Sequence, residues 1–385
     1  MATPPTHLAA RARSLTHVVV GSLVAASLLL AAPAAASAVP TWNWAGSSMT
    51  QSTSRGLLTD GQAVDPSAIV TRAQFVEMLA LLEQYRAGQG GAPAQLPLVE
   101  TGAVLSDATP DTVFAKAVKL GWIRPIGSTF AGDQPITGDT SARAIVGALG
   151  LQASARQFAA ALRAATPGLS TNFEYRADQV YVRSLGMRYN NLQGTEELEV
   201  SPSEPMKIAH VAYMLARASA LESWRVGSLA QFEDFSIPTL GPNQKAVLYQ
   251  GIKLIGNPYV WAGESEGAQP EGHGGFDCSG FVVRTLLNGN VAANRRDNLG
   301  RTSMDMSNVS KARRVKEGKL RPGDLIFFGY RGPKSKPAEN YHAAVWMGNG
   351  WFIHSSGSND GVSISHLDGY WRDNFSWGRR VLRAR

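Results

Sequence analysis

Apolar positions follow two different rhythms along this chain of 385 residues. In the first part they recur at steps of three and four, the spacing of one helical face. Phe75, Met78, Leu79 and Leu82 predict a helix, with Thr71 as its N-cap and Gly88 just past its end. Phe114, Val118 and Leu120 predict a short helix closed by Gly121, with turn residues over 127–133 and a second helix from Ser141 to Leu149. A third unit ends in a predicted helix over Met206–Arg217. Pro238, Gly241 and Pro242 then break the pattern. Asn243–Ile255 and Ser279–Leu287 read as helices, the second stopped by Asn288-Gly289, with Cys278 at or just before its start. From Asp324 the rhythm becomes strand-like: 324–328, 342–348 and 351–355, the last two joined by Gly348-Asn349-Gly350 as a hairpin turn. The predicted fold class is α+β. A mainly helical segment over 39–240 precedes an antiparallel sheet domain over 241–385, whose first part carries the cysteine at a helix N-terminus.

The first 38 residues read as an export signal rather than as part of the fold. Arg11 and Arg13 precede an apolar stretch from Leu15 to Ala32, and Ala36-Ser37-Ala38 has the small-x-small form of a cleavage site. Cleavage after Ala38 is expected, giving a secreted, wall-associated protein with no integral membrane association once cleaved; the alternative is an uncleaved anchor. One cysteine excludes an intrachain disulfide framework. Charge is uneven: residues 39–244 hold 15 Lys/Arg and 18 Asp/Glu, whereas residues 245–385 hold 20 and 12. The basic second part suits an anionic surface or polymer. Export and the lack of aromatic–basic interleaving argue against nucleic acid.

The helical units resemble divergent copies of one another, each with a polar lead before a helix: Ile69 to Phe75, Ile136 to Asp139 and Val200 to Glu204. With Leu105-Ser106-Asp107 and Gly127 to Phe130, this layout resembles the S-layer-homology repeat over residues 50–220. Thr71-Arg72-Ala73-Gln74 is close to that family's signature, whose basic residue helps bind acidic wall polymer. Gly138-Asp139 and Ser203-Glu204 stand in its place in the other copies. The alternative is a helical spacer without a glycan site.

Cys278 at a helix start would have its thiolate stabilised by unpaired amides and the helix dipole, as a nucleophile needs. The predicted hairpin brings the ends carrying His342 and His354 together, so that one imidazole could polarise the thiol and the other orient it. Tyr259-Val260-Trp261-Ala262-Gly263, Phe276-Asp277-Cys278-Ser279-Gly280-Phe281, Arg321 to Phe328, His342 to Gly348 and Phe352-Ile353-His354-Ser355-Ser356 occur in one order. Together they resemble the NlpC-type papain-like cell-wall endopeptidases. That resemblance implies Cys278 as nucleophile, His342 as general base and acid, and His354 as its orienter. It implies Tyr259 as oxyanion support, Asp277 and Ser279 at the site for the substrate's free amine, and Arg301 along the cleft. Asp277 also reads as a helix cap. Peptidoglycan stem peptides are the implied substrate, cut at the D-glutamyl–diamino acid bond, with no cofactor. No metal set is visible in the spacing of His273, His342, His354 and His366.

Two departures stand out. Ala262 replaces a family glycine, at little cost unless φ there is positive. The stretch Glu264–Gly275 is long, and reads as a lid or as a solvated insertion. Two other functions stay open at this level: a papain-like amidase or acyltransferase on another amide or ester, and a catalytically silent wall-binding protein.

Overall fold

A computed structural model describes residues 42–88, 105–107, 112–188, 201–266, 274–289 and 299–382. The expected export signal and His273 lie outside the described residues.

The helical part comprises α1 (Gly46–Ser54), α2 (Arg72–Gly88), α3 (Val113–Lys119), α4 (Gly138–Ala148), α5 (Gln152–Ala165), α6 (Phe173–Ser184) and α7 (Ile208–Ser219). Thr71 caps α2 reciprocally with Gln74: its hydroxyl accepts Gln74 N–H at 3.2 Å, and Gln74 Oε1 accepts Thr71 N–H at 2.9 Å. Gly121 ends the α3 region with φ +71, as a left-handed stop requires. Apolar periodicity had not marked α5 and α6. Their core faces are carried partly by alanines such as Ala155, Ala159 and Ala177, which give a weak signal.

Three leads close a ring ahead of α2, α4 and α7. Val70 N–H donates to Met206 O at 2.9 Å, Met206 N–H to Ile136 O at 2.8 Å, and Ile136 N–H to Val70 O at 2.9 Å. The pattern repeats one step on, where Arg72, Gly138 and Ile208 donate to Gln134, Glu204 and Ala68. The third copy therefore aligns on Met206-Lys207-Ile208, not on Val200 to Glu204 as its sequence suggests. Ile208, rather than Ser203-Glu204, occupies the place of Arg72. The residues of each lead satisfy the next unit's backbone groups, so none of the three is a free-standing repeat.

The second part begins with α8 (Pro242–Lys253), followed by a short ladder of β1 (Glu264–Ser265) with β2 (Gly275–Phe276). That ladder returns the long insertion to its point of departure. Next come α9 (Cys278–Asn288) and α10 (Ser303–Ser307). The strands are β3 (Arg314–Val315), β4 (Leu325–Gly329), β5 (Asn340–Gly348), β6 (Trp351–Ser356), β7 (Gly361–His366) and β8 (Phe375–Arg379), with α11 (Gly369–Asn374) before the last. They form one antiparallel sheet in the order β3-β8-β4-β5-β6-β7. One face, with Phe327, Val345 and Ile353, joins a core that continues into the helical part. The other face packs Ile326, Phe328, Trp346 and Phe352 with Phe375, and Trp371 lies against it.

The helical part grips this sheet. Arg183, buried in α6, donates to Gly256 O and to Asp360 O, and Phe232 stacks on Trp351 with ring centroids 5.3 Å apart. Among the described residues, no helix is long and apolar enough to cross a membrane.

Candidate active site

Asp277 is the N-cap of α9: its carboxylate accepts Gly280 N–H at 2.6 Å. Cys278 then occupies the first helical position, where the amide has no intrahelical acceptor. The chain before it is held tightly, since Asp277 N–H donates to Gly263 O at 3.1 Å. A Cβ on Gly280 would fall 2.0 Å from that same carbonyl, so only glycine lets the helix start lie against this loop.

The Cys278 thiol is buried, and the backbone amides of Ala343 and Ser279 near it favour its charged form. Ala343 follows His342 directly, so the sulfur lies against β5 next to that histidine. Burial, aided by the negative charge of Asp277, pushes the thiol up to about 11. The helix start was expected to lower it; desolvation outweighs the amides. His342 is pushed down to about 3 by burial, and His354 falls well below the usual imidazole range for the same reason, with His342 adding to it. Burial thus favours the neutral form of both the thiol and the imidazole.

The hairpin of β5 and β6 brings the two histidines together. His342 Nε2 and His354 Nδ1 share a hydrogen bond of 2.8 Å, and His354 Nε2 lies 3.0 Å from Ser365 Oγ on β7. Trp371 covers both rings, with centroids 5.2 Å from His342 and 5.0 Å from His354. Sequence reading missed Ser365 and Trp371. Val362 and Ile364 alternate along β7 without having been read as a strand, and nothing local shows that α11 folds back over the histidines.

Tyr259 is half-buried, and its phenol is pushed above its ordinary range by burial, then by the neighbouring Cys278 and Asp277. It remains a neutral donor beside the sulfur. Arg301 binds Asp277 with two nitrogens, at 3.1 and 2.8 Å, and donates to Ser279 Oγ at 2.8 Å. Its Nε also pairs with Glu264 at the foot of the insertion, a partner the sequence did not suggest. The structure thus gathers Tyr259, Asp277, Cys278, Ser279 and Arg301 on one flank and His342 with His354 on the other. Asp277 and Ser279, expected to line the site for a free amine, are already bonded to Arg301.

The glycine replaced by Ala262 matters after all: Ala262 has φ +60, a left-handed conformation that disfavours a side chain. In the helical part, Arg72 is buried and donates to Phe130 O at 2.9 Å and Arg124 O at 2.7 Å. The signature arginine is spent on internal carbonyls. Among the described residues no cluster of three or more His, Cys, Asp and Glu could hold a metal ion.

The family model described as the NlpC/P60 family matches residues 256–380. The "Probable endopeptidase YafL" of Escherichia coli (strain K12) is 34% identical over 131 residues, covering 33% of this chain and 46% of that protein. The "Murein DD-endopeptidase MepH" of the same organism is 30% identical over 142 residues, 36% of this chain and 46% of that protein. The "Probable endopeptidase NlpC", also from that organism, is 34% identical over 128 residues, 33% of this chain and 70% of that protein. The chain thus spans just under half the length of the first two and over two thirds of the third.

Proposed function

The chain belongs to the NlpC/P60 family, and from that premise we propose that it is a secreted cysteine endopeptidase hydrolysing peptidoglycan stem peptides, at the D-glutamyl–diamino acid bond. One observation carries the reading: a cysteine at a capped helix start, close to the amide of Ala343 beside a buried histidine that is itself paired with a second histidine.

In this reading Cys278 Sγ attacks the peptide carbonyl as its proton passes to His342. Because burial favours the neutral form of both groups, the ion pair forms only as the carbon–sulfur bond does. His354, held by Ser365, keeps the His342 ring oriented and stabilises its charged form. The amide at the start of α9 and the Tyr259 hydroxyl meet the developing oxyanion. His342 then gives its proton to the departing amine, and a water that it deprotonates releases the acyl-enzyme. Arg301 holds Asp277, and with it the helix cap beneath the nucleophile. The helical part serves in this reading as a wall-directed or spacing domain; burial of Arg72 argues against that residue as the polymer contact.

Digestion of purified muropeptides, with the products identified by mass spectrometry, tests the proposal. New amino termini on the diamino acid are expected with the unaltered protein and none with Cys278→Ala. Cleavage of another amide or ester instead would move the chain to a different transfer on the same thiol, and no cleavage by either protein would leave a wall-binding role.

A further inference from the structure

The two flanks of the site differ in character. The cysteine flank is polar, built from Tyr259, Asp277, Ser279, Arg301 and Glu264. The histidine flank is aromatic, and it continues outward from Trp371. Tyr370 lies edge-on to Trp371 with centroids 5.4 Å apart. Its hydroxyl is 2.9 Å from that of Tyr341, which in turn stacks face to face on Tyr330 at 4.3 Å. Tyr330 is 76% exposed and Tyr370 58%, although both belong to a bank anchored in the core through Trp371. The rings come from the end of β4, from β5 and from α11, so three separate elements converge on one surface. Large exposed rings grouped in this way mark interaction sites more often than chance.

Acyl-transfer chemistry says what this flank faces. The acyl half of the substrate stays on Cys278. The amine half must sit where His342 can protonate it, on the histidine side. We propose that Trp371, Tyr370, Tyr341 and Tyr330 form the subsite for the amine-side half of the substrate, and that they recognise the long aliphatic side chain of a diamino acid there. A run of methylene groups lies well against ring faces, and a terminal ammonium gains a further cation–π attraction over a tyrosine. The hydroxyl pair keeps the rim of the bank wet, so it remains selective for a chain that is apolar along its length and polar at its tip. Trp371 also covers the histidines, which makes it unsuited as a probe; Tyr330 and Tyr370 touch neither of them in the contacts described.

This inference rests on the endopeptidase reading, and the experiment separates the two. Two synthetic peptides are compared, each with a γ-linked D-glutamate before the scissile bond and either lysine or alanine after it. The unaltered protein is expected to favour the lysine peptide in kcat/KM. In the double variant Tyr330→Ala/Tyr370→Ala the lysine-to-alanine ratio falls about tenfold, mainly through KM. Tyr330→Phe/Tyr370→Phe retains most of the ratio, because the ring faces remain. A ratio near one in the unaltered protein, or a ratio untouched in the alanine variant, overturns the subsite. Failure to cut either peptide overturns the endopeptidase reading itself, and the subsite with it.

Discussion

Arg183 in the helical part and His342 in the sheet are both polar side chains removed from water, and they are used in opposite ways. Arg183 gives its guanidinium to the carbonyls of Gly256 and Asp360, as Arg72 does to those of Phe130 and Arg124. Each arginine thereby ties its helix to backbone distant from it in sequence. His342 and His354 hold one another and Ser365, and burial keeps both imidazoles uncharged. A buried guanidinium committed to backbone carbonyls stays protonated and structural; a buried neutral ring can still accept a proton. Burial alone therefore does not mark a catalytic group. What marks it is a polar atom whose charge state is left open.

The sharpest break between the regions is in rate. Cys278→Ala and His342→Ala are each expected to lower stem-peptide hydrolysis by at least roughly 10³-fold. Chromatography of released peptides measures this, while circular dichroism should show an unchanged fold. Comparable activity in either variant would put the chemistry elsewhere.

Arg183→Ala should act on stability instead. It strips the donor from two backbone carbonyls and leaves a cavity, at a cost of about 3–5 kcal/mol in urea denaturation. A loss below about 1 kcal/mol would mean that water replaces the guanidinium without penalty.

Proton linkage sharpens the contrast further. An unfolded His342 takes up a proton near pH 6.5, whereas the folded one does so only near about 3. Stability contributed by the neutral ring is thus complete above pH 6.5 and drains away as pH falls towards about 3. Thermal melts across this range should show the decline, and His342→Gln should lessen it, the buried His354 supplying the remainder. Cys278 runs the other way in reactivity: with the thiol held up to about 11, alkylation by iodoacetamide should be slow at neutral pH and quicken towards the alkaline end. Fast labelling at mildly acidic pH would instead reveal a resting ion pair.

The smallest expected effect lies beside the site. Ala262→Gly should stabilise the protein by about 1 kcal/mol, because the left-handed backbone there no longer carries a Cβ. Melting temperature reports it, and a decrease would mean that the alanine methyl makes a contact outweighing its backbone strain.

Much of the catalytic region could be read in advance because its determinants are local. The Gly348-Asn349-Gly350 turn forces a hairpin, so the approach of the strand ends carrying His342 and His354 was legible, whereas the register shift between Trp346 and Gly348 that sets both rings on one face was not. Cys278 at a helix start needed only Asp277 before it and Asn288-Gly289 after it. The depth of burial was not legible. The rise of the thiol depends on how α9 and β5 pack, which no nearby residue reports. Trp371 and Ser365 were missed for the same reason, since they arrive from α11 and β7. The third helical copy was misaligned because Val200 to Glu204 offers the more turn-like sequence, while the ring is built from backbone atoms that any residue supplies.

That ring carries a consequence for how the chain matures. Val70 finds its acceptor on Met206, and Met206 finds its own on Ile136. A polypeptide emerging with its N-terminus first exposes the amide of Val70 long before residue 206 has left the ribosome. The helical body is expected to stay open through most of synthesis and to shut in one step, when the last of three partners arrives.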